Sequence, residues 1–98
     1  MYDSKFKTME LDELFAAILT LENEEECYMF FEDLCTVAEL KSIAQRYKVA
    51  RMLKEKNTTH VIAEKTGAST ATISRVNKCL NYGAGGYQLI LDRTTKGE

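Results

Sequence analysis

The sequence predicts an all-α fold, and three observations lead to that prediction. No proline occurs among the 98 residues, so no proline ring forces a helix to stop or kink. Apolar side chains recur at steps of three and four, which is the spacing of one helix face. Hydrophobic residues make up 45% and charged residues 29%, which is globular rather than disordered composition. The length predicts a single domain over residues 1–98.

Two amphipathic helices are predicted within residues 1–35. Thr8 has the position of an N-cap for the first helix and Asn23 for the second, and acidic residues follow each of them. Seven of the nine aromatic residues lie within residues 2–47. This part of the chain is therefore more apolar than a small monomer easily hides.

A long helix with a following loop is predicted over residues 36–57, the helix running from about residue 37 to about residue 54. Thr36 and Glu39 have the spacing of a capping box, in which each side chain bonds the other residue's backbone N–H. An apolar stripe follows at helical spacing, and basic residues occupy the other faces. The stripe consists of Val37, Leu40, Ile43, Ala44, Tyr47, Ala50 and Leu53.

Residues 58–82 have the pattern of a helix-turn-helix motif. Thr58 or Thr59 caps the first helix, Gly67 makes the turn, and Ser69 caps a second helix over about residues 70–81. Ala63 supplies the small residue at the crossing. The side chains expected to lock the two helices together are Ile62, Thr66, Ala68, Ile73 and Val76.

The second helix of this motif exposes small polar and basic side chains. No acidic residue occurs from Gly67 to Leu91. Such side chains bond phosphates and base edges, so the pattern favours DNA binding over an ordinary helical corner.

Residues 83–98 are predicted to form a glycine-rich hinge and a C-terminal tail. Three glycines lie within residues 83–86, which is unfavourable for a helix. The apolar patch at residues 87–91 is compatible with a helix or a strand. Residues 93–98 are polar and are expected to fray.

Charge is divided unevenly along the chain, although the net charge is only −2. Residues 1–40 carry 2 basic and 11 acidic side chains, and residues 41–80 carry 9 basic and 2 acidic side chains. A basic segment attracts a polyanionic duplex whatever the net charge. The alternative interpretation is two solvated faces of opposite sign.

Residues typical of enzymes and metal sites are scarce. Cys27, Cys35 and Cys79 form no Cys-x-x-Cys pair, and His60 is the single histidine. The glycines at 83–86 lack the Lys-Ser/Thr ending of a phosphate-binding loop. We therefore expect no catalysis, no metal and no cofactor.

No apolar run suits a membrane span or a signal peptide, so we expect a cytoplasmic protein with no membrane partner.

Four segments carry a resemblance to a known family: residues 43–46, 49–53, 66–77 and 79–83. They resemble the tryptophan repressor superfamily, and most closely its trp-repressor-related YerC/YecD group. The resemblance implies a Trp repressor-like, intertwined homodimer in which residues 1–35 supply dimerisation helices. It also implies a transcriptional regulator, such as a repressor, whose second helix-turn-helix helix enters the major groove of double-stranded DNA, with half-sites about 34 Å apart.

The predicted DNA contacts lie in and around the motif. Thr70 and Thr72 are placed to reach base edges, and Ser69 presents the helix N-terminus to a phosphate. Arg75 and Lys78 are suited to phosphates or a guanine. The full predicted set is Lys54, Lys56, Lys65, Ser69, Thr70, Thr72, Arg75 and Lys78.

An effector pocket is implied only by the resemblance. In tryptophan-binding members two arginines and a threonine contact the corepressor, and these roles correspond here to Arg46, Arg75 and Thr36. Val76 and Cys79 stand where those members have glycine and serine. A valine fills space at the pocket floor and a thiol is a poor substitute for a hydroxyl, so we do not expect L-tryptophan to bind.

A second hypothesis is a protein-interaction module that retains the fold without an operator. The acidic residues 1–40 would then be its working surface. Salt dependence separates the two hypotheses, because counterion release makes DNA affinity fall steeply as salt rises.

Overall fold

The computed structural model describes residues 2–95, which form six α-helices and no strand. The helices are α1 (Met9–Ile18), α2 (Glu24–Leu34), α3 (Val37–Lys54), α4 (Thr59–Thr66), α5 (Thr70–Tyr82) and α6 (Gly86–Thr95). The predicted all-α class is confirmed. None of these helices is long and apolar enough to cross a bilayer. The chain divides into two compact units, with the boundary after residue 36, and the single domain stays a prediction.

The first unit contains α1 and α2, and both helices begin at the predicted caps. The Thr8 hydroxyl accepts the N–H of Leu11 at 3.1 Å, and the Asn23 side-chain carbonyl accepts the N–H of Glu26 at 2.9 Å. Neither helix contains a buried residue. Several large apolar side chains of this unit are exposed: Tyr2, Phe6, Met9, Phe15, Leu19, Tyr28, Met29 and Leu34. The single chain therefore leaves much of the apolar surface of these helices uncovered.

The second unit contains the hydrophobic core, which α3, α4, α5 and α6 build together. Its buried side chains are Val49, Ala50, Met52, Ile62, Ala68, Ile73, Val76, Leu80 and Leu91. Among the predicted contacts within the helix-turn-helix, Thr66 is the only one that is half-buried rather than buried. Its hydroxyl donates to the carbonyl of Ile62 at 2.7 Å and accepts the N–H of Ala68 at 3.1 Å. Burial of a threonine is thus matched by hydrogen bonds.

Within the single chain, only the second half of the apolar stripe predicted for α3 packs in the core. Val37 is 69% exposed and Ile43 is 46% exposed, while Val49 and Met52, which lie outside the stripe, are buried. The core side chains of α3 all come from its second half, where α4, α5 and α6 supply the other buried residues. Those tertiary contacts, rather than the periodicity of α3, decide which residues are buried.

The C-terminal apolar patch is helical. It belongs to α6, which buries Leu91 in the core of the second unit. The fraying predicted for residues 93–98 is wrong for residues 93–95, because these continue α6. Residues 96–98 lie outside the described part of the chain.

The turn between α4 and α5 has the left-handed residue that the sequence predicts. Gly67 has φ +74°, and its N–H donates to the carbonyl of Ala63 at 2.9 Å. A Cβ at this position would contact no atom within 4 Å, so a substitution is strained without a steric clash.

We expect Gly67→Ala to lower the free energy of unfolding by about 1–2 kcal/mol, because alanine disfavours the left-handed region. Urea denaturation followed by circular dichroism measures the change. Ala84→Gly, in the exposed loop before α6, is a control for the general effect of a glycine–alanine exchange. An unchanged urea midpoint for Gly67→Ala would show that the turn tolerates another conformation.

Candidate nucleic-acid interface

The solvent face of α5 presents a continuous stripe of side chains. Steps of three and four place Ala71, Arg75, Lys78 and Tyr82 on one side of the helix. All of them are exposed, whereas the opposite side supplies three buried residues to the core. Ser74 flanks this stripe and is also exposed. Of the α5 side chains that the sequence predicts to contact DNA, Thr70, Arg75 and Lys78 are therefore accessible.

The first turn of α5 is held by a hydroxyl pair. The Ser69 hydroxyl accepts the backbone N–H of Thr72 at 3.1 Å, and the two hydroxyls are also 3.1 Å apart. Thr72 is half-buried, but Thr70 is exposed. The geometry gives Ser69 and Thr72 a local capping role, whereas Thr70 is exposed and no such contact holds it among the described residues.

Positive charge on α5 is unpaired in this structure. Among residues 2–95, no acidic side chain forms an ion pair with Arg75 or Lys78. Lys65 on α4 is exposed and also lacks an acidic partner in the described part of the chain. These cations are therefore available to phosphates without breaking an existing contact.

The end of α4 is anchored to α3 by a residue that sequence reasoning missed. The Gln45 side-chain amide donates to the carbonyl of Thr66 at 3.0 Å. This carbonyl belongs to the last turn of α4, where intrahelical partners run out. A glutamine on a long helix gives no sequence signal for such a contact, because its partner lies 21 residues further along the chain.

Lys54 and Lys56, both predicted to flank the DNA backbone, have different environments. The Lys54 ammonium lies 2.7 Å from the Gln88 Oε1 atom and 2.7 Å from the Asp92 Oδ1 atom, so it bonds α6. Lys56 is exposed in the turn after α3 and has φ +70°. The two residues are thus brought to the same end of α3, but only Lys56 keeps its ammonium in solvent.

The backbone at Lys56 forms a Schellman turn. The N–H of Lys56 donates to the carbonyl of Leu53, and the N–H of Asn57 donates to the carbonyl of Met52, both at 3.0 Å. This motif normally has glycine at the left-handed position. A lysine there is strained, and strain of this kind concentrates at functional positions.

We expect Lys56→Gly to raise the free energy of unfolding by about 1 kcal/mol, because glycine adopts the left-handed region without the steric cost of a Cβ. The same variant should bind DNA more weakly. Lys56→Asn is the matched control, because asparagine tolerates this conformation and also lacks the charge. Equal DNA affinity of wild type and both variants would remove Lys56 from the interface.

The residues of the implied effector pocket lie in both units. Arg46 on α3 donates to the Ser42 hydroxyl at 3.0 Å, and Arg75 lies on the exposed face of α5. Val76 is 1% exposed and belongs to the core. Thr36 is the last residue of the first unit. A joint role of Thr36, Arg46 and Arg75 stays a prediction.

Metal ligands are not grouped in the described residues. Between residues 2 and 95 no three His, Cys, Asp or Glu side chains are placed to hold a metal ion. His60 lies 3.7 Å from Glu64, one turn along α4, and both are exposed.

Comparison with known proteins agrees with this geometry. The sequence model of the Trp repressor protein family matches residues 9–95. The uncharacterized protein YerC of Bacillus subtilis (strain 168) is 57% identical over 98 residues, covering 100% of this chain and 94% of YerC.

Two solved structures are also similar. A candidate Trp repressor from Staphylococcus aureus has a TM-score of 0.89 and 56% identity, covering 93% of this chain and 91% of that one. A TrpR-like protein from Eubacterium eligens ATCC 27750 has a TM-score of 0.90 and 54% identity, covering 95% of this chain and 96% of that one.

Proposed function

The chain belongs to the Trp repressor family, and from that premise we propose that it is a homodimeric transcriptional regulator that binds a specific double-stranded DNA site in the cytoplasm. The observation that carries the proposal is the exposed, acid-free face of α5 with its unpaired cations. Family membership supports a regulator of DNA-binding type rather than an enzyme.

In this proposal α5 lies in the major groove. Thr70 at its start and Arg75 in its middle face base edges, because hydroxyl and guanidinium groups match their donors and acceptors. Lys56, Lys65 and Lys78 bond phosphates, which fixes the register without reading sequence. The hydroxyls of Ser69 and Thr72 keep the N-terminus of α5 formed, so that its free N–H groups face a phosphate.

The second copy in the proposed homodimer covers the apolar surface that one chain leaves exposed. That surface includes α1 and α2, which bury no residue in the single chain, and the first half of α3 with Val37 and Ile43. Large apolar side chains exposed together in this way are typical of an interface between subunits. A dimer also presents two α5 helices, as a two-fold symmetric operator requires.

We propose no cofactor for this regulator, and L-tryptophan is not expected as its corepressor. The side chain of Val76 is committed to the core, so it is not free to move aside for a ligand. Arg46 and Arg75 are the residues that we propose would bind a small effector other than tryptophan.

Selection from random duplexes tests the proposal. The purified protein is incubated with the library, bound duplexes are recovered over several rounds, and the selection is repeated at two salt concentrations, with and without tryptophan. We expect an enriched two-fold symmetric sequence that is the same with and without tryptophan. Weak binding without enrichment, lost at the higher salt, would mean either that an effector is missing or that the basic face does not read sequence, and the second case would favour the interaction-module hypothesis.

A further inference from the structure

A chain of polar contacts crosses the second unit away from the exposed face of α5. It starts at the Lys54 ammonium, which lies 2.7 Å from Gln88 Oε1 and 2.7 Å from Asp92 Oδ1. The Gln88 amide nitrogen in turn donates to the carbonyl of Leu80 at 3.3 Å. These contacts therefore join the last residue of α3, the first two turns of α6 and the last turn of α5.

The Leu80 carbonyl belongs to the group of helix-terminal carbonyls that have no partner within their own helix. Gln88 supplies the missing donor from another helix. Because the Gln88 oxygen faces an ammonium, its amide nitrogen must point the other way, towards Leu80. The positive charge of the Lys54 ammonium beside this oxygen also polarises the Gln88 amide, which strengthens the hydrogen bond from the amide nitrogen to the Leu80 carbonyl.

Lys54 is poorly suited to contact a phosphate while these bonds exist. Its side chain is only 33% exposed, and Asp92 already balances its charge at 2.7 Å. A phosphate would have to displace two oxygen atoms at short distance. A lysine neutralised within the protein also releases no counterion when DNA binds, so it adds nothing to the salt dependence.

We propose that Lys54 and Gln88 are positioning residues, which act on DNA recognition by fixing the last turn of α5 rather than by contacting DNA. The proposal rests on the function proposed above. Lys78 and Tyr82 lie on the exposed stripe at this end of α5. An unfixed end would change their distance from the duplex while the N-terminal half of α5 stays docked.

The experiment compares Lys54→Met with a control variant, Lys65→Met. Both variants replace a lysine by methionine and lose one positive charge, but Lys65 is exposed and has no acidic partner in the described part of the chain. Affinity for the selected operator is measured over a range of salt concentrations. We expect Lys54→Met to weaken binding several-fold while the slope of log affinity against log salt concentration stays unchanged. Lys65→Met should lower the slope by about 0.9, the value for one lost phosphate contact. An equal loss of slope in both variants would overturn the proposal.

A second measurement needs no DNA and therefore separates this proposal from the proposed function. Gln88→Glu keeps an acceptor for Lys54 but removes the donor to Leu80. Hydrogen exchange of the backbone amides in the last turn of α5 should be about tenfold faster in Gln88→Glu and Lys54→Met, and unchanged in Lys65→Met. Unchanged exchange in both Gln88→Glu and Lys54→Met would refute the positioning role, even if an operator has been found. Faster exchange in these variants, with no operator found for the wild type, would support the role of Lys54 and Gln88 in fixing α5 and refute the DNA-binding function.

Discussion

Arg75→Ala is expected to weaken binding of the selected operator by about 1–3 kcal/mol, or about 5- to 150-fold. Arg75 lies at the centre of the exposed stripe of α5 and has no acidic partner within residues 2–95. Its guanidinium therefore meets DNA without losing an existing ion pair. A fluorescence anisotropy titration with a labelled operator measures the affinity.

Two further variants decide what Arg75 contacts. Arg75→Lys keeps the charge but loses the planar, two-pronged donor group. If Arg75 contacts a phosphate, Arg75→Lys should bind more tightly than Arg75→Ala; if it contacts a guanine, the two variants should bind about equally weakly. Arg93→Ala, on the exposed side of α6, removes an arginine outside the proposed interface and should leave affinity unchanged. Equal affinities of Arg75→Ala and wild type would exclude Arg75 from recognition.

Ile62→Ala is expected to lower the free energy of unfolding by about 2–5 kcal/mol, which is a large part of the total for a small protein. Ile62 is 0% exposed and holds α4 against the core, so its truncation leaves a cavity between the helices of the motif. Urea denaturation at fixed protein concentration measures the change.

Ile90→Ala provides the matched control for this prediction. It makes the same truncation on α6 at a side chain that is 43% exposed, so the expected loss is below about 1 kcal/mol. Equal losses in the two variants would mean that Ile62 is not a principal core contact.

Local signals in the sequence predicted the helix starts and the turn of the motif. The caps at Thr8, Asn23 and Ser69 bond backbone groups only three residues away, and the turn needs one glycine. The exposed face of α5 was predictable for the same reason, since helical spacing alone places its side chains. Fold class and candidate interface therefore followed from short-range patterns.

Longer-range contacts could not be predicted in this way. The partners of Lys54 lie 34 and 38 residues along the chain, so its basic character suggested DNA rather than α6. Burial on α3 depends on where α4, α5 and α6 pack, which the apolar period of α3 does not contain. The patch at residues 87–91 was too short to show any period.

The length of α3 has a mechanical consequence. With 18 residues it is about 27 Å long. Its second half is fixed in the core, and its first half is left for the proposed partner. In the proposed dimer the helix would act as a lever, since a tilt of roughly 5° at its first turn would displace its last turn by about 2 Å over this length. In the proposed dimer, a ligand that altered this tilt would change the spacing of the two α5 helices, and so the fit to an operator, without touching DNA.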